Sequence, residues 1–262
     1  MTFTPRSATV FSEVASVRPV VRAFRKLGKP VVLVPVDGGV DAADLYRLRQ
    51  AQRVPGALTV VSLREVAAAA ELRESGADVV LALDEPTFYP HGSRTLVGAD
   101  SAALSHGLTS LLKLINITAP TDVFLSEKDY EFLRAAQHMV TDFNLDVRLH
   151  AVPIVREPDG LAVDARNREL SPAGREAALA LSAALAAGAH AAHAGADAVL
   201  AAARAVLAAA PEVQVESLHV SGSGPEDARL HISAVVEGIT LTDHAGILVG
   251  VSKSSLGEQA GV

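Results

Sequence analysis

Short runs of consecutive apolar residues alternate with amphipathic stretches along the first half of the chain. Residues 30–35, 57–62 and 77–83 are rich in Val and Leu and predict buried strands; 122–125 and 147–152 predict two more. Between them, 16–27, 42–51, 66–75, 101–117 and 128–143 carry the spacing of helices with one apolar face. Strands without polar alternation, separated by helices of this length, predict a parallel sheet covered on both faces: a Rossmann-like, doubly wound α/β domain. Sites in such sheets lie at the carboxyl ends of strands, so the loops after Val34, Ser62, Leu125 and Val152 are the places to search. The second half changes character. Ser171 before Pro172 marks a helix start, with an Ala/Leu helix running to about Ala189 and a second over 194–210. Segments 213–220, 228–236 and 238–243 then predict a small antiparallel sheet, turned at Gly222–Pro225 and at Glu237-Gly238. The reading is a Rossmann-like domain over 1–153 and a small α+β domain over 154–262, with a frayed tail from Ser252.

Composition narrows the chemistry. The 262 residues carry 23 Lys+Arg against 30 Asp+Glu, a net charge of −7, which disfavours a phosphate-backbone partner. Cys is absent, which removes disulfides, zinc–thiolate sites, iron–sulfur clusters and cysteine nucleophiles together; Trp is absent and aromatics are 4%, which argues against base stacking. The opening residues mix charge into their apolar stretches and contain no signal-peptide core. The Ala-rich stretch 177–210 is broken by Asp197, Arg204 and Gly, and Ala is too weakly hydrophobic for a membrane span. A cytoplasmic, globular protein is expected, without nucleic-acid or membrane partners.

Several long, ordered motifs then carry a resemblance. The stretches FLSEKDY at 124–130, MVTDFNL at 139–145, VPIVREPDGLA at 152–162 and ARNRELS at 165–171, with YPHG at 89–92, resemble the pantothenate synthetase (pantoate–β-alanine ligase) family. The resemblance implies ATP-dependent adenylation of pantoate with magnesium, then displacement of AMP by β-alanine. It also implies a homodimer. By position it carries nucleotide contacts onto Lys128, Asp129, Val155, Val163, Arg166 and Asn167.

The same alignment shows departures. The family's PTMGALHEGH loop, related to the HIGH motif, reads PVDGGVDAAD at 35–44, so Asp37, Asp41 and Asp44 stand where the family has Met and two His. Asp41 and Asp44 are spaced as a helix cap with an acid at N3; the alternative is that these carboxylates gather magnesium. The pantoate-binding VSIFVNPxQF segment is cut to Val61-Ser62-Leu63 followed by Arg64-Glu65 and alanines 67–70, which read as ordinary helix. RPxHFxGV shrinks to 100–108, where His106 reads as a surface or capping histidine. GEKDYQQ becomes SEKDYEF, putting Ser126 for Gly and Phe132 for a pantoate-binding Gln. SSRN becomes Asp164-Ala165-Arg166-Asn167, and Asp164 beside Arg166 suggests an ion pair that occupies the guanidinium. His190 and His193, three apart, read as surface residues. Two functions follow: a ligase homologue with a degraded site, working as a non-catalytic subunit or regulator that could associate with an intact homologue; or an active ATP-dependent ligase making pantothenate or joining another acid and amine.

Overall fold

The computed structural model describes residues 6–37, 39–92, 95–222 and 228–249. The chain divides into two compact units, Met1–Val155 and Arg156–Val262. The first runs β1 (Thr9–Phe11), α1 (Val14–Lys26), β2 (Val31–Val36), α2 (Ala42–Ala51), β3 (Leu58–Leu63), a 3-10 helix (Val66–Leu72), β4 (Val79–Ala82), α3 (Glu85–Phe88), α4 (Ala102–Thr118), β5 (Asp122–Ser126), α5 (Tyr130–Asp142) and β6 (Arg148–Val152). All six strands are parallel, in the order β1-β4-β3-β2-β5-β6.

The uniformly apolar strands follow from burial on both faces. Along β2, Val31 and Leu33 enter one core with α1, α4 and α5, while Val32, Val34 and Val36 enter a second core with α2 and the 3-10 helix. β4 divides likewise: Val79 and Leu81 one way, Val80 and Ala82 the other. Leaving out the edge strand β1, the order is that of a Rossmann sheet, as expected.

Two elements depart from the sequence expectation and two were not foreseen. The segment expected as a helix over 66–75 is a 3-10 helix, Val66–Leu72, ending where Ser75 Oγ bonds Leu72 O at 2.7 Å. Its Ala run tolerates the eclipsed i, i+3 side chains of that tighter coil. The helix expected from Ser16 begins at Val14. β1, of three residues, and the single-turn α3 are too short to leave a periodic signal.

The second unit contains a 3-10 helix (Ala165–Glu169), α6 (Pro172–Ala191), α7 (Ala196–Ala208), β7 (Gln214–Ser221), β8 (Arg229–Val236) and β9 (Ile239–Gly246), the strands forming an antiparallel β7-β8-β9 sheet. Ser171 caps α6 by accepting from Gly174 N at 3.0 Å. The β8–β9 turn is made by Glu237 (φ 54°) and Gly238 (φ 81°), the two positive angles a tight two-residue hairpin needs. Leu230, Ile232, Ala234 and Val236 on one face of β8 pack with Ala178, Leu181 and Leu185 of α6. Residues 172–194 are long and apolar enough to cross a membrane, but this helix spends its apolar stripe on its own sheet. Most of the turn at Gly222–Pro225 and the tail from Ser252 lie outside the described residues.

Candidate functional site

In the first unit, β2 and β5 are neighbours whose following helices go to opposite faces of the sheet: α2 packs on one core and α5 on the other. That divergence opens a crevice at their carboxyl ends, the usual place for a ligand in such sheets. The candidate residues of this unit lie on the two segments that border it, from the strand end into the first turn of α2 or α5, except Val155, which follows β6.

After β2 comes exposed Asp37; Gly38 lies outside the described residues. Asp41 and Asp44 form a complete capping box on α2. Asp41 Oδ1 accepts from Asp44 N at 2.9 Å, and Asp44 Oδ2 accepts from Asp41 N at 3.0 Å. Arg47, one turn on, pairs with the other Asp44 oxygen. Asp44 is buried, and burial raises its pKa above the usual carboxylate range against the opposing pull of Arg47. Both acids thus serve the helix end, and among the described residues no group of three His, Asp or Glu is arranged to hold a metal ion.

After β5, Ser126 Oγ accepts from Lys128 N at 3.1 Å, and Asp129 caps α5 by accepting from Phe132 N at 3.0 Å. Lys128 is half-buried, as is Val155, three residues beyond β6. Phe132 packs against the core, and its ring lies 3.0 Å from where a Cβ on Gly107 of α4 would stand. An aromatic ring here fills space and offers no hydrogen bond to a polar acid.

The second unit holds Val163, Asp164, Ala165, Arg166 and Asn167. Asp164 caps the 3-10 helix that begins at Ala165, accepting from Arg166 N at 2.9 Å. It also accepts from Arg166 Nη2 at 2.7 Å and Nε at 3.1 Å, while Arg166 Nη1 donates to Thr240 O at 2.8 Å. The expected ion pair is formed, and the hydrogen bond to Asp164 raises the Arg166 pKa further. Asn167 Nδ2 donates to Ala162 O at 2.8 Å, and Val163 is buried.

Sequence reasoning missed two polar clusters. Arg156 makes a two-pronged pair with buried Asp243, at 2.7 and 3.0 Å, tying the 156–162 turn to β9; the partners are 87 residues apart and leave no local pattern. In the first unit Arg64 pairs with Glu85 and stacks 3.8 Å from the Phe88 ring centroid, with Lys113 close by. His106 is half-buried, 5.8 Å from the Tyr89 ring. His190 and His193 are exposed, and His193 Nδ1 lies 3.0 Å from His190 O.

The family model described as pantoate-beta-alanine ligase matches residues 64–245. The chain is 39% identical to the pantothenate synthetase of Corynebacterium jeikeium, over 98% of this chain and 95% of that protein. It is 42% identical to that of Rhodococcus jostii, over 92% and 88%. The chain belongs to the pantoate-beta-alanine ligase family. In fold it is similar to the pantothenate synthetase of Thermus thermophilus, with TM-score 0.80 and 24% identity over 91% of this chain and 99% of that one. It is also similar to the pantoate-beta-alanine ligase of Francisella tularensis solved with β-γ ATP and β-alanine, with TM-score 0.71 and 17% identity over 90% and 97%.

Family membership raises the question whether these residues fit a triphosphate and magnesium. A helix N-terminus attracts anions through its unpaired N–H groups and dipole. At α2 the capping box takes up the N–H groups of Asp41 and Asp44, and the carboxylates repel phosphate by roughly 4 kcal/mol for each pair of like charges about 4 Å apart at intermediate dielectric. Lys128 fits a phosphate. The α2 terminus does not.

Proposed function

We propose that this protein is a pantoate–β-alanine ligase homologue whose adenylating site is degraded, acting as a non-catalytic or strongly impaired member of the family in the cytoplasm. The observation that carries this reading is the capping box of Asp41 and Asp44 at the helix following β2. Carboxylates stand there where the resemblance calls for phosphate-binding histidines. Two further findings support it. The family match begins at Arg64, beyond the loop that bears Asp37, Asp41 and Asp44. The alignment with the Corynebacterium protein runs over 291 positions, more than the 262 residues of this chain, so at least 29 of them face a gap here. This reading puts part of that gap at the pantoate-binding segment after Leu63. Phe132 and the Asp164–Arg166 pair extend the loss to the acid and phosphate contacts.

The deciding experiment supplies ATP, magnesium, pantoate and β-alanine and follows pyrophosphate and pantothenate. Neither product should rise above background; turnover comparable to an intact relative would overturn the reading. A second reading, a working ATP-dependent ligase for pantothenate or another acid and amine, is favoured by the survival of Lys128, Asp129, Arg166 and Asn167 within a match of 39% identity. It predicts pyrophosphate release with some acid. A homodimer, or a mixed assembly with an intact homologue, goes with the first reading by family resemblance. Light scattering and co-purification of the two chains test it.

A further inference from the structure

The first unit contains a cavity of about 610 Å³ that the readings above leave unused. It is lined by α1, the α3–Gly92 segment, Leu96 and α4, and by no described residue of the loops after β2 and β5 that border the crevice. Its walls are mostly apolar: Val14, Phe88, Leu96, Leu112 and Ile117. Its charges are of one sign. Arg18 and Lys113 line it, and none of the described lining residues is Asp or Glu.

The setting of Lys113 makes that imbalance matter. Its ammonium group lies 4.9 Å from the Phe88 ring centroid and 4.7 Å from that of Tyr89, and it donates to Phe88 O. An ammonium has three donors, so this carbonyl leaves others for a ligand. Burial lowers the Lys113 pKa, and the nearby Arg64 lowers it further, with Glu85 opposing. Glu85 is itself engaged with Arg64. An ammonium placed against two aromatic faces in an apolar hollow gains most from one added negative charge, because partial desolvation strengthens the attraction.

We propose that this cavity binds a small monocarboxylate with an apolar body, its acid group at Lys113 with Arg18 supplying a second positive charge to the lining, and its hydrocarbon part among Val14, Leu96, Leu112 and Ile117. The volume suits one such molecule, and the lining of apolar walls with a few convergent polar groups is that of a ligand site. A charge-assisted hydrogen bond in such a place outweighs a neutral one, so acid should be preferred over the matching alcohol by about tenfold or more.

The chain has no Trp, so Leu96→Trp, at a lining residue that is 79% exposed, supplies a single fluorescence reporter. The probes are 4-phenylbutanoate, 4-phenylbutanol and pantoate. Saturable emission change with 4-phenylbutanoate is expected, with at least about tenfold weaker binding of the alcohol and of the hydroxyl-rich pantoate. In the same background Lys113→Met should erase the preference for acid over alcohol, and Arg18→Gln should reduce it. The acid–alcohol comparison on the protein without either of these changes stands even if one of them fails to fold. No saturable response, equal binding of acid and alcohol, pantoate binding as tightly as 4-phenylbutanoate, or an unchanged preference in a folded Lys113→Met protein would each overturn the proposal. Calorimetric titration of the unmodified chain checks that the reporter has not created the site.

Discussion

At single positions, the structure shows where side chains are spent on the fold and where they are spent on each other. Gly188 in α6 is there because a Cβ would stand 2.5 Å from Leu230 Cδ2 and 3.2 Å from Val199 Cγ1. Gly188→Ala should destabilise by ~1–3 kcal/mol despite Ala's better helix propensity, since overpacking a core forces side chains off their rotamers. Urea unfolding measures it, with Gly98→Ala, whose Cβ would meet open space, as the control. A neutral Gly188→Ala would mean that α6 sits further from β8 than described. Asp164 and Arg166 pose the opposite case, a pair that holds its own charge. Asp164→Ser keeps a side chain able to cap the 3-10 helix and releases the guanidinium from its carboxylate. ATP affinity, read by calorimetry, should rise relative to the parent. Unchanged affinity would show that the ion pair is not what keeps nucleotide from this residue.

Elements show best what the sequence could and could not disclose. The strands were legible because double-sided burial removes polar alternation, as in β2, and α2 was legible because Asp41 and Asp44 carry the spacing of a cap. The pairing of Arg156 with Asp243 and the floor of the cavity were not, because they join residues distant in sequence through contacts that have no period. The row of histidines across the second sheet belongs with these. His219, His231 and His244 are register partners on β7, β8 and β9; the first two rings stack at 4.9 Å and the last two lie 5.3 Å apart. His231 Nε2 lies 2.7 Å from Ser221 Oγ. Burial, then the neighbouring His244, His219 and Arg229, push the His231 pKa down from 6.5 to about 4. The folded protein therefore binds this proton less readily than the unfolded chain. The stability concerned is complete above pH about 6.5 and is lost as pH falls toward about 4. Thermal melts should show a midpoint that drops on acidification through this window, with a shallower drop for His231→Gln. Parallel slopes in the two proteins would place the acid sensitivity on other groups.

On the scale of the whole molecule, the distribution of apolar contacts sets how the chain should behave when divided. Both cores of the parallel sheet are built from residues up to Val152, and the core of the second sheet from Leu161 onward. Each face of β2, β3 and β4 is covered within the first unit: by α1, α4 and α5 on one side, and by α2 and the 3-10 helix on the other. A segment of that size can bury enough apolar surface to offset its ordering entropy without outside help. Residues 1–155 expressed alone should therefore unfold in one cooperative transition, and their near-ultraviolet dichroism should show fixed Tyr and Phe environments. A broad, non-cooperative melt would show that the first sheet depends on the second unit for its stability, contrary to the separation of the cores. The prediction bears on function as well. The β2–β5 crevice, the Asp41–Asp44 capping box and the cavity over Lys113 all lie within residues 1–155, whereas Arg166 and Asn167 lie in the other unit. A folded fragment should keep any binding of 4-phenylbutanoate, while any nucleotide affinity that depends on Arg166 must be lost with it. Measuring both on one fragment separates binding in the cavity from any nucleotide affinity that rests on Arg166 and Asn167.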